Sequence, residues 1–480
     1  MSPALVFIGF MGSGKSRAAR RAQAAGLEAT DTDQVLEREL GMPIAEFFDR
    51  EGEPAFRERE EAIVVDLLEK SQGGAIALGG GSILSPRVRG ALSRHVVAWL
   101  DVPVELAWER VESKSHRPLA TDRGGFERRF AERAVLYAEL ADARVLWAES
   151  QSGEYPVFVG RGILSRDLWP VQGRPFLVTD HEVAALYADS VTKEGVIELE
   201  PGERSKNLTE AERVLRELID LGATRHDHLL GLGGGVVGDL AGFCAALYQR
   251  GVPIVQLPTT LLAQVDSAYG GKTGVDLPEA KNYVGAYHLP AAVIADTATL
   301  ATLPSEELGA GFVEVMKTAL LAGGELWDRV RAIETLDPQA LDDVIFACAR
   351  YKTWVVAADE RDVGSRAMLN LGHTVGHAIE AASDYRYRHG EAVGLGLLAA
   401  LRLSDADGLR DQVASVLERH GLPTRLDPSI ESDRVLLAVG RDKKRTAEGV
   451  GFVLLDGPGK PLIGQRVDEG RLSAAVEELR

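Results

Sequence analysis

Apolar positions along the chain follow two spacings. Ala4 to Gly9 is a short apolar run that stops at glycines, and a helical spacing follows from Lys15 to Ala25. Strand, loop and helix are predicted in that order. Strand-length runs return at Ala75–Leu78 and Val96–Leu100, an alternation that predicts a parallel α/β unit. Between Trp147 and Tyr155 comes Ala-Glu-Ser-Gln-Ser-Gly-Glu, a polar stretch that reads as a linker. A second set of strand-like runs, Tyr155–Val159, Phe176–Val178, Leu229–Leu232, Ile254–Leu257 and Val293–Ala295, alternates with helical spacing. After Leu303-Pro304 the pattern is almost wholly helical, rich in Ala, Leu, Glu and Arg. The expected fold is α/β: a parallel-sheet domain over 1–148, a linker over 149–154, an α/β domain over 155–302 and a mostly helical domain over 303–480.

Length allows each of these a full core, since the chain has 480 residues. A formal net charge of −18 argues against nucleic acid or an anionic membrane as partner, so anionic small substrates need local basic pockets. No cleavable apolar stretch precedes the glycines at Gly9, and no apolar run reaches membrane-spanning length, which predicts a cytoplasmic protein. Cys244 and Cys348 sit in apolar helical runs and are expected as buried free thiols of a reducing compartment.

Gly9-Phe-Met-Gly-Ser-Gly14-Lys15-Ser16 fits GxxxxGK[ST] between a predicted strand and a predicted helix, the context a phosphate loop needs. Backbone N–H groups of Gly12, Ser13 and Gly14 can close on phosphates, Lys15 reaches the β/γ oxygens and Ser16 can ligate Mg²⁺. Asp31-Thr-Asp33 puts two carboxylates at i, i+2 at a strand end, one to hold Mg²⁺ through water and one to accept from a substrate hydroxyl. An exposed turn is the plain alternative for that pair.

Downstream stand Phe56-Arg57-Glu-Arg-Glu60, Leu78-Gly79-Gly80-Gly81, Arg117-Pro118-Leu119, and Arg133 ahead of Leu136-Tyr137. With the phosphate loop, this ordered set resembles shikimate kinase. The resemblance implies a P-loop kinase domain in which Asp33, Arg57 and Arg133 grip shikimate and Gly79, Gly80 and Gly81 line its pocket. It implies that Arg117 closes over ATP, that Ser16 and Asp31 serve Mg²⁺, and that Lys15 and Asp33 are catalytic. Bidentate arginines are the natural clamp for a carboxylate. Arg17 departs from the family, which has a small polar residue there.

Gly233-Gly234-Gly235-Val236-Val237-Gly238-Asp239 follows the run Leu229–Leu232 and suggests close backbone approach to a pyrophosphate. Pro258-Thr259-Thr260, Asp266-Ser267, Gly270-Gly271-Lys272-Thr273-Gly274 and Lys281-Asn282 gather basic and small residues, as an anion pocket does in an acidic chain. In the helical part, Gly311-Phe-Val-Glu314-Val-Met-Lys317 precedes Asn370-Leu-Gly-His373-Thr-Val-Gly-His377 and His389-Gly390-Glu391-Ala392, so three of the ten histidines fall in one short stretch. His373 and His377 at i, i+4 share a helix face, and a carboxylate or third imidazole would complete a tetrahedral metal set with an open position. Capping or core histidines are the plain alternative.

From Tyr155 to Arg480 the chain resembles 3-dehydroquinate synthase, most specifically in Gly-His-Thr-x-Gly-His followed by His-Gly-Glu-Ala. The resemblance implies a Rossmann-like NAD-binding α/β domain followed by a helical metal-binding domain. It assigns Zn²⁺ (or Co²⁺) to Glu314, His373 and His389 and leaves His377 beside the substrate, where spacing alone chooses His377 as ligand. NAD⁺ is implied at Asp180, Glu203, Lys206, Gly235, Val236, Val237, Gly238, Asp239, Thr259, Thr260, Lys272, Lys281 and Thr302. For 3-deoxy-D-arabino-heptulosonate 7-phosphate it implies Asp266, Lys272, Asn282, Lys317, Lys352, Arg366, Asn370, His377 and Lys443, with Lys272, Lys317 and His377 catalytic. A homodimer through the synthase part is expected. Ser305-Glu306 departs from the family's Pro-Arg.

Three rivals are weighed against this. Related sugar-phosphate cyclases act on substrates without a carboxylate, against which Lys352 and Arg366 argue. Metal-dependent glycerol dehydrogenases share the glycine turn and the metal site but release NADH. A first domain that only senses ATP would have no use for Asp33, Arg57 and Arg133.

Overall fold

A computed structural model describes residues 3–112, 122–166, 168–443 and 451–480, with backbone alone at 441–443. The first unit holds β1 (Leu5–Ile8), β2 (Ala29–Asp31), β3 (Ala75–Ala77), β4 (Val96–Leu100) and β5 (Ala143–Glu149). The second holds β6 (Glu154–Gly160), β7 (Pro175–Asp180), β8 (Gly195–Leu199), β9 (His228–Gly233), β10 (Ile254–Pro258), β11 (Lys272–Leu277), β12 (Ala280–Tyr287) and β13 (Ala292–Asp296). All strands except the hairpin β11–β12 join one 11-stranded sheet in the order β2-β3-β1-β4-β5-β6-β13-β10-β9-β7-β8. The central strands read as continuous Val, Ile, Leu and Phe runs because helices cover both faces of a parallel sheet.

The polar stretch 149–154, expected as a linker, closes a β-hairpin whose turn is 150–153. β5 and β6 pair antiparallel from Ala143↔Gly160 to Glu149↔Glu154, and the Ser150 N–H donates to the Gly153 carbonyl across the turn at 2.9 Å. On its other side β5 runs parallel to β4, with Trp99 opposite Arg144. The turn was readable from its Ser and Gly content, but β5 was not, because Arg144 interrupts its apolar alternation. Arg17 has a role here: its guanidinium reaches Glu149 at 3.1 Å and Glu154 at 3.3 Å, clasping the two strand ends beside the turn. Such exposed pairs contribute little stability.

Antiparallel pairing at this one seam turns the second half-sheet over relative to the first. Ligands of parallel sheets gather at the carboxyl ends of strands, so the ends of β1 and β9 lie at opposite edges of the shared sheet. Beneath the seam the core is continuous. Phe7, Ala98 and Val145 from the first unit pack in one buried cluster with Phe158, Leu230 and Ile294 from the second. Trp147 stands edge-on to Phe7 at 6.4 Å and to Trp169 at 5.7 Å. Each of the large buried side chains among them, such as Phe7, Phe158 and Ile294, contributes about 1.5–3 kcal/mol by burial, so the two half-sheets resist separation.

Beyond β13 the chain is helical, with one added hairpin, Phe452–Leu455 against Pro461–Gln465. The helix Ser305–Ala322 is buried without a break from Leu308 to Leu321, as befits a helix apolar on nearly all sides. The helix His389–Leu403 starts against it. A β-carbon on Gly390 would lie 1.9 Å from the Ala310 carbonyl, so only glycine permits an approach that brings His389 to Glu314. Among the described residues no helix is long and apolar enough to cross a membrane.

Two candidate active sites

The first site lies past the ends of β1, β2 and β3. Gly12 adopts φ 84°, and a β-carbon there would sit 2.4 Å from the Ala107 carbonyl, so the loop closes only with glycine. Lys15 and Ser16 open the helix Lys15–Ala24. The Lys15 ammonium donates to the carbonyls of Gly9 at 2.8 Å and Phe10 at 3.0 Å, while the Ser13 hydroxyl is buried with no hydrogen-bond partner. Arg117 lies outside the described residues.

Next to this loop a cavity of about 160 Å³ is lined by Met11, Ile44, Phe48, Phe56, Glu60 and six of the sequence candidates, Asp33, Arg57, Gly79, Gly80, Gly81 and Arg133. Asp31 ends β2, whereas Asp33 lies in the first turn of the helix Thr32–Leu40. The i, i+2 spacing therefore does not put both carboxylates on one strand face. Asp31 caps the helix by accepting the Asp33 N–H at 3.1 Å, and of the two only Asp33 lines the cavity.

Arg57 donates to Glu60 at 2.6 Å and to Glu53 at 3.1 Å. Burial disfavours its charge, but Glu60 and Glu53 outweigh that and raise its pKa. Glu60 also accepts from the Ser82 hydroxyl at 2.8 Å. Glu60 belongs to Phe56-Arg57-Glu-Arg-Glu60, and the signal of its role is the i, i+3 spacing to Arg57. Arg133 and Tyr137 both donate to the Gly80 carbonyl, at 3.2 and 2.6 Å, which fixes the guanidinium over the Phe10 ring at 5.4 Å. Two guanidiniums and two carboxylates, one of them, Glu60, engaged with Arg57, surround a small cavity and suit a hydroxylated carboxylic acid.

The second cavity, of about 1370 Å³, lies between the ends of β7, β9 and β10 and the helical part. At one end the helix Gly235–Leu247 begins with no side-chain cap, and its first residues line the cavity. Uncapped N–H groups at a helix start suit a pyrophosphate. β-Carbons on Gly234 and Gly235 would press on Thr260 at 3.0 Å and Ser267 at 3.1 Å. Asp180, Glu203, Lys206, Thr259, Thr260, Lys281 and Thr302 line the same space, and Lys206 pairs with Asp239 at 2.6 Å. Gly238 instead packs on the sheet, where a β-carbon would meet the Gln256 side chain at 2.9 Å. The residues present fit a dinucleotide.

At the other end the charges converge. Asp266 accepts from Lys317 at 2.9 Å and from Lys352, and Lys272 pairs with Asp362. Burial pushes the Asp266 carboxyl up, but Lys317 and Lys352 outweigh it and hold it below the usual range. At Lys352 burial, joined by the charges of Lys317 and Arg366, outweighs Asp266 and lowers the pKa. Asn282, Arg366, Asn370 and His377 line this end too; Lys443 closes the helix Ser432–Lys443, its side chain outside the described residues.

Glu314, about 1 % exposed, turns Oε1 toward Nε2 of His373 at 3.7 Å and Nε2 of His389 at 3.5 Å. Its Oε2 pairs with the Lys317 ammonium at 2.5 Å, and no hydrogen bond to Oε1 is formed among the described residues. Each histidine engages its outer nitrogen elsewhere: Nδ1 of His373 with the Leu371 carbonyl at 3.1 Å, Nδ1 of His389 with Glu380 at 3.3 Å. That arrangement turns both Nε2 atoms inward, where a cation would take the place of a proton. Burial, then Lys317, pushes His373 down to about 3, keeping it neutral. Burial opposes charge on His389 as well, but Glu314 and Glu380 hold it up at about 10, so this carboxylate pair already draws a positive charge to the spot. The ligand atoms of His373, His377 and His389 lie within 4.8 Å of one another. The donor set, these three imidazoles with the Glu314 carboxylate facing His373 and His389, fits a divalent metal. Glu380, which orients His389, carries no motif of its own.

Family models for the 3-dehydroquinate synthase N-terminal and C-terminal parts match residues 196–310 and 311–445, and one for shikimate kinase matches 11–156, through β5 into β6. The 3-dehydroquinate synthase of Halorhodospira halophila is 44% identical over 353 residues, covering 70% of this chain and 99% of that protein. Among solved structures, 2-deoxy-scyllo-inosose synthase complexed with carbaglucose-6-phosphate, NAD⁺ and Co²⁺ shares the fold at TM-score 0.64 and 24% identity, over 70% of this chain and 100% of that one. The 2-epi-5-epi-valiolone synthase of Streptomyces hygroscopicus subsp. jinggangensis 5008, with NAD⁺ and Zn²⁺ bound, matches at TM-score 0.62 and 28% identity, over 68% of this chain and 96% of that one.

Proposed function

The chain belongs to the 3-dehydroquinate synthase family and carries a shikimate kinase domain ahead of it, and from that premise we propose which residues act in each cavity. As a bifunctional shikimate-pathway enzyme it phosphorylates shikimate to shikimate 3-phosphate and converts 3-deoxy-D-arabino-heptulosonate 7-phosphate to 3-dehydroquinate and phosphate. Kinase chemistry is assigned to 1–148, the dinucleotide to 155–302, and the metal with most acid–base groups to 303–480, the stretch 149–154 lying between.

In the kinase cavity Arg57 and Arg133 take the carboxylate, with the Gly79–Gly81 backbone against the ring. Asp33 accepts from the hydroxyl that attacks the γ-phosphoryl group. Lys15 gives up its carbonyl partners to neutralise the β/γ oxygens, over the N–H groups of Gly12, Ser13 and Gly14. Ser16 and Asp31 hold the Mg²⁺ that accompanies ATP, and Arg117 closes over the nucleotide.

In the synthase cavity the helix start at Gly235 takes the pyrophosphate, Lys206, Asp239 and Thr260 flank it, and Glu314, His373 and His389 hold Zn²⁺ or Co²⁺. Bound there, the cation supplies Lewis-acid polarisation of a substrate hydroxyl, and NAD⁺ a hydride acceptor restored within each turnover, so no net oxidation results. Lys352 and Arg366 take the substrate carboxylate. Lys272, Lys317 and His377 are the proton-handling groups beside the ring, and Asp266 keeps Lys317 and Lys352 charged and aimed. Asn282, Asn370 and Lys443 complete the anion contacts. Holding the substrate in one conformation suffices to favour the final ring closure.

One observation carries this reading: a single cavity joins an uncapped helix start to a buried carboxylate faced by two imidazole Nε2 atoms. The fold likeness to cyclases of other names favours a second reading, a carboxylate-free sugar phosphate as substrate; two buried cations, Lys352 and Arg366, favour the carboxylate. Buried free thiols at Cys244 and Cys348 support a cytoplasmic location, and the exposed Leu208, Ile219 and Leu221 support a homodimer through the synthase part.

The test is two parallel assays of the purified chain. One contains the heptulosonate phosphate, NAD⁺ and Zn²⁺ and follows phosphate release; the other contains shikimate and Mg-ATP and follows ADP. Each is expected to turn over. Silence of the second with ATP still bound would make the first domain a sensor, and silence of the first would move the search to carboxylate-free substrates.

A further inference from the structure

The turn between β5 and β6 does more than reverse the chain. The Ser152 N–H donates to Oε2 of Glu360 at 2.9 Å, and the Ser152 hydroxyl donates to Oε1. Ser152 is exposed while Glu360 is 4 % exposed, so a turn at the surface satisfies a buried carboxylate. The hydroxyl of Ser152 is the foremost cause, against burial, of a Glu360 carboxyl held below the usual range.

Glu360 belongs to the loop that presents Arg366. Its carbonyl accepts from Nη1 of Arg366 at 2.8 Å. Next to it, Asp359 accepts the backbone N–H groups of Val363 at 3.0 Å, Gly364 at 2.8 Å and Arg366 at 3.0 Å. Both the backbone and the guanidinium of Arg366 are therefore fixed by 359–360. Asp362, the partner of Lys272, lies in the same loop at φ 57°. The hairpin braces the facing loop too: the Tyr155 hydroxyl accepts the Gly270 N–H at 3.1 Å, two positions before Lys272. Gly270, at φ 84°, leaves no room between the loops, since a β-carbon there would lie 2.7 Å from Nη2 of Arg366.

We infer that Ser152 and Glu360 are positioning residues of the synthase: the turn closing the strand that β4 shares with β6 sets the loop that presents Arg366 to substrate. Neither residue touches substrate; both act through Arg366, and the inference rests on the reading of Arg366 as a carboxylate partner. The last strand of the kinase sheet and the brace of the synthase pocket are then one element, β5 with its turn.

Steady-state kinetics of the full-length chain test this, with the heptulosonate phosphate and with shikimate, on Ser152→Ala, Ser152→Thr, Glu360→Gln and Arg366→Lys. Ser152→Ala changes an exposed turn and leaves the core intact. Ser152→Ala and Glu360→Gln are expected to raise the synthase KM about tenfold, the loss of one hydrogen bond to a charged group, with synthase kcat and both kinase constants unchanged. Ser152→Thr, which keeps the hydroxyl, restores the KM, and the double variant Ser152→Ala/Glu360→Gln is no worse than Glu360→Gln alone. If Arg366→Lys raises KM while Ser152→Ala and Glu360→Gln leave it at the wild-type value, the positioning role is wrong and the reading of Arg366 stands. If Arg366→Lys leaves KM unchanged, the reading of Arg366 fails, and the inference with it. A fall in kcat of both activities together with a lowered Tm would reduce the contact to a structural one and overturn the inference.

Discussion

The two cavities hold their charges by different means. In the smaller one the pairs are local: Arg57 meets Glu60 three positions along its own helix, and Arg133 rests on a backbone carbonyl. Its phosphate loop draws its field from N–H groups and a helix start. In the larger one Asp266 is held by Lys317 and Lys352 from two helices, and Glu314 faces imidazoles from two more. A buried full charge loses its hydration, and only partners brought from elsewhere in the fold offset that. A phosphate loop can therefore be written in eight consecutive residues, whereas a buried polyanion and metal site needs a whole domain around it. The cavities also open at opposite edges of one sheet, so what the fusion shares is a strand, not a path between sites.

The sharpest way to break this comparison is to remove the buried carboxylate. Glu314→Ala should lower synthase kcat/KM about a thousandfold, the several kcal/mol of Lewis-acid stabilisation that depends on it. Shikimate-dependent ADP formation should stay unchanged; a parallel fall would show that the sites are not independent. Next, Asp33→Asn should lower kinase kcat about a hundredfold, the scale of a positioned proton acceptor, with phosphate release by the synthase unaffected.

A smaller effect tests how far the long-range support extends. Glu380→Gln should weaken Zn²⁺ binding about tenfold to a hundredfold, because Glu380 orients His389. Competition with a chelator reads this without reference to turnover, and an unchanged affinity would remove Glu380 from the metal's support.

The smallest effect sharpens the shared-sheet view. Burial pushes Asp227 up, but hydrogen bonds from Arg174 and Thr224 outweigh it and hold its pKa far below the usual value. The Thr224 N–H stands at 2.7 Å and the Arg174 N–H at 2.9 Å. A carboxyl depressed in the folded state stabilises above its unfolded pKa of about 4 and loses that contribution as pH falls through its folded value. Asp227→Asn should therefore lower stability by about 1–2 kcal/mol at neutral pH, and the difference from wild type should shrink in acid. Melting followed by both activities should show one shift, since Asp227 immediately precedes β9 of a sheet whose core runs into the kinase.

Much of this molecule is legible in its sequence. GxxxxGK[ST] and Gly-His-Thr-x-Gly-His each confine their groups to one loop or one helix turn, where spacing alone sets geometry. The parallel strands were legible because burial on both faces makes them unbroken apolar runs. Other features were not. The i, i+2 reading of Asp31 and Asp33 missed the switch from strand to helix between them, because a three-residue edge strand has too few positions to show a period. β5 was hidden by Arg144, whose charge is tolerated because its guanidinium stacks on Trp99 at 5.1 Å and Phe346 at 5.5 Å. The contact of Ser152 with Glu360 joins residues 208 positions apart, and no local pattern encodes it.

The sequence by itself therefore determined the chemistry carried by consecutive residues: the phosphate loop, the histidine pair, the apolar strands and the family that combines them. Tertiary structure alone decided which distant groups meet, namely Glu314 with His389, Asp266 with Lys352, and the hairpin turn with the loop of Arg366. The reason is that local spacing is fixed by backbone geometry, while long-range convergence is fixed by the packing of whole layers, to which every buried residue contributes and which no short motif contains.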